Sequence, residues 1–349
     1  MEQRVSVGPL SIRELDSAST DRWEAFVDAC PEATFFHRAG WKRVIEEAFG
    51  HRTWFLYAER NGQIEGVLPL AQIKSRLFGN SLMSLPFCVY GGVAAGDEQV
   101  RTALEDEAGA LAQRLKVDFM EMRNRVQRHN DWPSKDLYVT FRKPIDSDPE
   151  KNLLAIPRKQ RAMVRKGIKA DLRGEVDRDT SRFFDAYAES LRNLGTPVHA
   201  RRYFDLLMEV FGADCEILTV TKGSQVVSSV MSFYFRDEVL PYYGGGTALA
   251  RDVKGNDFMY WDLMRRASER GITVFDYGRS KKGTGSYSFK KNWGFEPEPL
   301  HYEYQLVKAT EVPDVNPLNP KYQLLINTWK RLPLPITKML GPLIARQLG

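Results

Sequence analysis

Trp41-Lys-Arg-Val-Ile-Glu-Glu-Ala-Phe-Gly50 and Tyr203-Phe-Asp-Leu-Leu-Met-Glu-Val-Phe-Gly212 align without a gap. Each places apolar residues on one helical face: Trp41, Val44, Ile45 and Ala48 in the first, Tyr203, Leu206, Leu207 and Val210 in the second. A strand follows each (54–58; 216–221), then a turn at Asn61-Gly62 or Gly223-Ser224, then a second strand (64–70; 226–235). Tyr-Gly-Gly recurs at Tyr90-Gly91-Gly92 and Tyr243-Gly244-Gly245, ahead of a helix over 98–115 or 257–270. Each half closes on a strand that ends in an acid, Glu121 or Asp276. So many matches in one order point to an internal duplication. Helix, antiparallel strands, helix and strand make an α+β unit with one mixed α/β sheet. The copies run over 10–145 and 155–308, joined by a turn-rich linker from Lys143 to Glu150 and followed by an extension over 309–349.

The chain has 349 residues, 43% hydrophobic and 27% charged, which is a soluble globular composition with room for two domains. Its net charge of +5 fits an anionic substrate or an acidic membrane surface and is far from that of a polycation. Cys30, Cys88 and Cys215 are scattered and form no CxxC, the usage expected of reduced thiols in the cytoplasm. Met1 to Pro9 holds no signal-like apolar core, and no run is long and apolar enough to span a bilayer.

The copies differ chemically. After its last strand the first has Glu121-Met-Arg123-Asn-Arg125. The second has Asp276-Tyr-Gly278-Arg279-Ser280-Lys281-Lys282-Gly283-Thr284-Gly285, then Phe289-Lys290-Lys291-Asn292-Trp293-Gly294. Cations among glycines at a strand end suit an anion, through side chains and backbone N–H groups. The bland reading is a solvated hairpin. Asp276 either accepts a proton or anchors the loop through backbone N–H groups. Tyr242-Tyr243-Gly244-Gly245-Gly246 is either a backbone open to a ligand or a bulge and splay of the strand.

Arg158 to Arg173 holds seven cations and one acid. As a helix it puts Arg158, Lys159, Arg165, Lys166 and Lys169 on one side, with Val164, Ile168 and Leu172 docked on the other. A phosphate-binding stripe and a solvated face are both open readings. Arg251 and Lys254 precede a helix whose N-cap is expected at Asn256 or Asp257. Arg192, Asn193 and His199 flank Gly195-Thr-Pro197 and are expected to face an acceptor. Trp41 and Trp293 read as packing residues. In the tail, 316–321 reads as extended and 322–331 as a short helix. Beyond it Pro333, Pro335 and Pro342 interrupt an acid-free segment that rests on a membrane, packs on the protein or pairs protomers.

The two-copy pattern resembles the FemAB family of aminoacyl- and acyltransferases, whose copies have the fold of GCN5-related N-acetyltransferases (GNAT). The resemblance covers 12–308. It is carried by Ala33 to Trp41, Ile156-Pro-Arg-Lys-Gln-Arg-Ala-Met-Val-Arg-Lys166, Tyr242 to Gly246, Phe275 to Ser280 and Phe289 to Gly294. Asn193 to Pro197, Arg236 to Gly246, Gly278 to Gly285 and Asn316 to Tyr322 look similar to the branch associated with the exosortase (PEP-CTERM) system. The resemblance implies a cytoplasmic acyl-transfer enzyme of exopolysaccharide or envelope assembly, working free or peripherally at the cytoplasmic face of the inner membrane. It implies that Lys290, with Lys291 as the alternate, assists the reaction. The implied donor is aminoacyl-tRNA or acyl-coenzyme A, with no tightly bound cofactor and no metal. In acetyltransferases of this fold a glycine-rich loop holds the coenzyme A pyrophosphate before the helix at 257. Here only Gly255 is present there, with Arg251 and Lys254 supplying charge. The five histidines are scattered and build no triad, which suits direct transfer to an amine. The rival reading is a non-catalytic scaffold of exopolysaccharide assembly.

Overall fold

A computed structural model describes residues 8–75, 79–312 and 320–348. It divides into two units, one of residues 8–136 with 300–312 and 347–348, the other of 137–299 with 320–346.

In the first unit, Ser11–Glu14, Thr53–Arg60, Gln63–Ser75 and Gly79–Met83 form an antiparallel run. The Asn61-Gly62 turn has φ of +53° and +80°, the left-handed pair that a two-residue hairpin needs. Phe119–Asn124 then pairs in parallel with Gly79–Met83, and His301–Leu306 lies antiparallel on its other side. Parallel pairing needs a crossover, supplied by the Glu98–Leu115 helix. That helix is capped by Asp97, which accepts from the Val100 N–H, and it buries Val100, Leu104, Ala108 and Leu111. It approaches closely because Gly66 has no Cβ; one there would lie 2.5 Å from Val100 Cγ1.

The second unit repeats the plan. Leu172–Asp177, Cys215–Lys222, Gln225–Phe235 and Glu238–Gly246 run antiparallel. Val274–Asp276 pairs in parallel with Glu238–Gly246, and Arg142–Pro144 closes the sheet antiparallel. The crossover is the Gly255–Glu269 helix, burying Met259, Leu263, Met264 and Ala267. Thus 137–145 falls in the second unit and 300–308 in the first, an exchange of closing strands that chain order does not announce. A small sheet of Ser280–Lys281, Tyr138–Thr140 and Glu298–Pro299 stands beside the main one.

Several expectations need correction. The segment after Phe289 belongs to a helix, Gly285–Asn292, capped by the Thr284 hydroxyl, rather than to a hairpin. The crossover helix begins at Gly255 with Lys254 as its N-cap, whose φ of +59° breaks it from Ala248–Val253; neither Asn256 nor Asp257 is the N-cap. The basic helix, Arg158–Lys169, buries Val164 and Gly167, whereas Ile168 is exposed and Leu172 starts a strand. A Cβ at Gly167 would lie 2.7 Å from Phe258 Cβ, so the glycine sets the contact face. In the tail, Pro320–Arg331 is a helix, while the reading of 316–319 lies outside the described residues. Leu334–Ala345 is helical despite its prolines: Pro335 stands in the first turn, where no intrahelical N–H is missed. Trp41 and Trp293 are both fully buried.

Candidate active site

The parallel pairing in the second unit is short. Glu238 pairs with Val274 and Val239 with Phe275; beyond them Glu238–Gly246 runs on without that neighbour. A register shift opposite Met231 and Ser232 leaves Tyr242 as a bulge. The two strands therefore part, and no main-chain hydrogen bond among the described residues bridges 241–246 to 276–280. Strand alternation aims Gly244 at the crossover helix and Gly245 at the Ser181–Leu194 helix. A Cβ on Gly244 would lie 2.8 Å from the Tyr260 hydroxyl, and one on Gly245 2.7 Å from Ser190 Cβ. Both glycines are places where a helix presses on the strand. The Tyr243 hydroxyl meets that of Tyr203 at 2.7 Å, and Tyr242 packs edge-on against Tyr243.

The loop after Asp276 is held from inside. Asp276 is fully buried; it accepts from the Gly278 N–H at 2.7 Å and faces Arg142 Nε at 3.2 Å. Arg142 also pairs with Glu238. Lys290, 9% exposed, donates to the carbonyls of Tyr277 (2.7 Å), Gly278 (3.0 Å) and Arg279 (3.0 Å). Its three ammonium hydrogens all reach the loop's main chain. Burial pulls its pKa down to about 7, Asp276 pulls it back up, and Arg279 pushes it further down. The three carbonyls solvate the charged form.

The loop's cations lie along its outer side. Arg279 stacks over the Tyr138 ring at 4.6 Å, with Lys281 at 5.5 Å from the same ring. Lys282 is half-buried, Gly283 has φ of +77°, and Gly285 opens the helix. Ser280 is buried in the small sheet. Lys291 is exposed, 6.0 Å from the Tyr287 ring. Arg251 is exposed, and Lys254 Nζ bonds the Arg251 carbonyl at 2.8 Å. Arg192 is half-buried on the Ser181–Leu194 helix.

Sequence reasoning missed a polar cluster. Asp257, in the crossover helix's first turn, is 9% exposed; burial raises its pKa, while a hydrogen bond from Gln160 draws it back down. The Tyr277 hydroxyl is buried with no hydrogen-bond partner among the described residues, and burial, Tyr260 and Asp257 together push its pKa well up. The Tyr260 and Tyr277 rings meet edge to face at 5.0 Å. The cluster draws on residues far apart in the chain, so its only local signal was an acid in a helix's first turn.

The Arg158–Lys169 helix bears a groove of about 320 Å³ lined by Arg158, Arg161, Ala162, Arg165, Lys166 and Lys169. None of those cations, nor Lys159, forms an ion pair among the described residues. Through Gly167 the helix rests on Lys254 and Phe258, at the start of the crossover helix. Among the described residues no group of His, Cys, Asp and Glu is placed to hold a metal ion, and no helix is long and apolar enough to cross a membrane.

Residues 156–291 match the family model described as an acetyltransferase (GNAT) domain. The protein is an acyltransferase with a duplicated acetyltransferase fold. Solved structures of similar fold include FemX (15% identity, TM-score 0.65, 84% of this chain and 97% of that one). Another is L-PGS from Bacillus licheniformis (12%, 0.56, 94% and 98%). A third is a tandem GNAT protein from the clavulanic acid biosynthesis pathway (12%, 0.54, 87% and 100%). No curated protein sequence matches the chain. The domain match favours this acyltransferase reading over the scaffold alternative.

Proposed function

We propose that this acyltransferase moves an acyl or aminoacyl group from a polyanionic carrier onto an amine of a cell-envelope or exopolysaccharide precursor. The carrying observation is the unpaired cationic groove of the Arg158–Lys169 helix, seated at the start of the crossover helix. Cations without acid partners attract phosphates with no ion pair to break first. The exosortase-associated setting belongs to this proposal and rests on the similar sequence segments at 193–197, 236–246, 278–285 and 316–322. An acceptor carried on a lipid would put the enzyme at the cytoplasmic face of the inner membrane.

In the reaction the amine nitrogen attacks the acyl carbonyl. A C–N bond forms, the bond from the acyl carbon to its carrier oxygen or sulfur breaks, the amine gives up a proton, and the departing carrier oxygen or sulfur takes one up. Open-edge amides of the bulged 241–246 strand are the donors at hand for the developing oxyanion. Asp257, its carboxyl raised by burial, is the proposed proton acceptor. Lys290 is a positioning residue: it acts through the 277–279 loop, whose Arg279, Lys281 and Lys282 face the carrier's phosphates, with Lys291 and Arg192 at the margin. Asp276 anchors the same loop.

The favoured donor is aminoacyl-tRNA. The second reading, acyl-coenzyme A, draws on the domain match over 156–291, with Arg251 and Lys254 toward the pyrophosphate. Against it, the Asp257 carboxyl stands in the helix's first turn, and a Cβ at Gly255 would lie 2.2 Å from Val227 Cγ1, so that glycine serves packing.

The test is equilibrium binding to aminoacyl-tRNA, deacylated tRNA and acetyl-coenzyme A, for wild type, Lys290→Ala and Arg165→Ala/Lys169→Ala. Preference for the aminoacylated form, reduced by Lys290→Ala, supports the tRNA donor. Binding of acetyl-coenzyme A alone moves the reading to the second donor. Equal, salt-sensitive binding of both tRNAs reduces the groove to a general polyanion surface.

A further inference from the structure

The Leu334–Ala345 helix is turned inside out relative to an ordinary surface helix. Its buried positions are the small residues Thr337, Gly341 and Ala345. A Cβ on Gly341 would lie 2.8 Å from the Val198 carbonyl oxygen and 3.0 Å from its nitrogen, so only this small face fits so close to the unit. Four of its six large apolar side chains are exposed, Met339 at 67% and Leu343 at 58%, with Ile336 and Ile344, while Leu334 and Leu340 are half-buried. A water-facing helix normally carries its bulky apolar residues inward. The neighbouring Pro320–Arg331 helix adds Leu324 at 75% and Leu325 at 66%. Half of the large hydrophobics exposed in the described structure lie on these two short helices, which is the mark of an interaction surface.

Charge selects the occupant. Residues 320–346 contain five cations, Lys321, Lys330, Arg331, Lys338 and Arg346, and no acid. Lys338 is engaged with Asp185 at 2.5 Å and ties the second helix to the unit, while Lys330, Arg331 and Arg346 are exposed. A second copy of this surface would bring cations against cations. Bulky apolar side chains flanked by lysine and arginine suit the boundary between headgroups and acyl chains of a membrane with anionic lipid. At twelve residues each, the helices are far too short to cross it.

We propose that the 320–346 helix pair is a peripheral docking surface for an anionic lipid bilayer, with Leu324, Leu325, Met339 and Leu343 entering the interface and Lys330, Arg331 and Arg346 meeting the headgroups. The surface is independent of which acyl donor the enzyme uses.

Flotation of the whole protein with vesicles of phosphatidylcholine, pure or with about one part in three phosphatidylglycerol, tests it. The expected result is partition onto the anionic vesicles only, falling at least about ten-fold in Met339→Asp/Leu343→Asp and by a lesser factor in Lys330→Gln/Arg331→Gln. The substituted side chains are exposed, and unchanged far-UV circular dichroism checks that the variants fold. Absence of flotation overturns the proposal, as does equal binding to both vesicle types. Sedimentation velocity covers the other occupant: a dimer that the Met339→Asp/Leu343→Asp variant dissolves, without vesicle binding, also overturns it. Donor binding measured alongside keeps a failure here separate from a failure of the transferase reading.

Discussion

The two units open their sheets at the same place and treat the opening in opposite ways. In the first, the parallel pair ends at Met83 and Glu121, and the following loop crosses back over the gap. The Ser84 N–H reaches the Glu121 carbonyl at 2.8 Å, and the Gly91 N–H reaches that of Arg123 at 3.0 Å. Buried Arg123 completes the closure, pairing with Glu121 at 2.7 Å and donating to the carbonyls of Leu85 (3.3 Å) and Cys88 (2.6 Å). In the second unit the strands part with no such bridge among the described residues, and the buried cation holds the other lip, the 277–279 loop. A duplicated fold has thus kept one device, a buried cation on main-chain carbonyls. It seals a splay in one copy and shapes its edge in the other. The copy with the open splay also carries the cationic helix.

The largest effects should come from removing those cations. Arg123→Met strands Glu121 and two carbonyls in a dry interior, a loss of about 3–5 kcal/mol. Lys290→Met strands three carbonyls and leaves Asp276 with Arg142, so a loss of similar size, about 3 kcal/mol, is expected. Urea unfolding measures both. The comparison breaks on donor binding: Lys290→Met should weaken it by more than about ten-fold, and Arg123→Met should leave it unchanged under conditions where both variants are folded. Equal effects on binding would mean that the sealed splay also serves the donor.

A second contrast is in acid. His37, 1% exposed, takes the Thr34 N–H on Nδ1 and donates from Nε2 to the Gly92 carbonyl, so it is held neutral. Burial lowers its pKa to about 4 from 6.5. The unfolded chain binds the proton first, so stability is complete above pH 6.5 and drains away as pH falls toward 4. The drain amounts to about 3 kcal/mol. His199, in the second unit, shifts the same way through burial alone, but it is only half-buried and its contribution should be smaller. Urea midpoints at pH 7 and pH 4.5 should differ less in His37→Gln than in wild type. An unchanged difference would remove His37 from the account.

What the sequence disclosed and what it hid divide along the range of the interactions. The duplication was readable because its signals are local: apolar spacing in Trp41–Phe49 and Tyr203–Phe211, and the Asn61-Gly62 turn. The exchange of closing strands was not, since a short strand such as Arg142–Pro144 looks like a linker until its partner, far along the chain, is known. For the same reason Arg142 was missed as the partner of Asp276. Tyr-Gly-Gly matched in letters, yet Tyr243 to Gly245 lie in a strand between two helices, while Tyr90 to Gly92 belong to the loop that crosses the gap. Lys290 stood out by motif. That its hydrogens all turn inward is a property of a folded loop, and no spacing encodes it.

Glycine substitutions sharpen the same comparison at smaller scale. A Cβ on Gly91 would lie 1.9 Å from the Ser84 carbonyl oxygen, inside the sealing loop, and main chain cannot swing aside as a side chain does. Gly91→Ala should destabilise by about 1–3 kcal/mol in urea unfolding. Gly285→Ala, at the helix start beyond the open lip, meets nothing within 4 Å and needs no left-handed backbone. It should be neutral within about 0.5 kcal/mol.

The smallest effect on stability should accompany the clearest effect on binding. Arg158, Arg165 and Lys169 are exposed, line the groove and form no ion pair among the described residues, so replacing them with alanine breaks no ion pair and uncovers no core. Stability should move by less than about 0.5 kcal/mol for each. Polyanion affinity depends on counterions released per phosphate met. Each cation removed should therefore flatten the slope of log affinity against log salt by about 0.7–0.9. The matching control is Arg114→Ala in the first unit, exposed on Glu98–Leu115 and paired with Glu107 at 2.8 Å. Its guanidinium is already neutralised, so the slope should stay as in wild type. A slope that flattened equally for Arg114 would show that tRNA responds to overall charge, and the groove would lose its claim as the carrier's site.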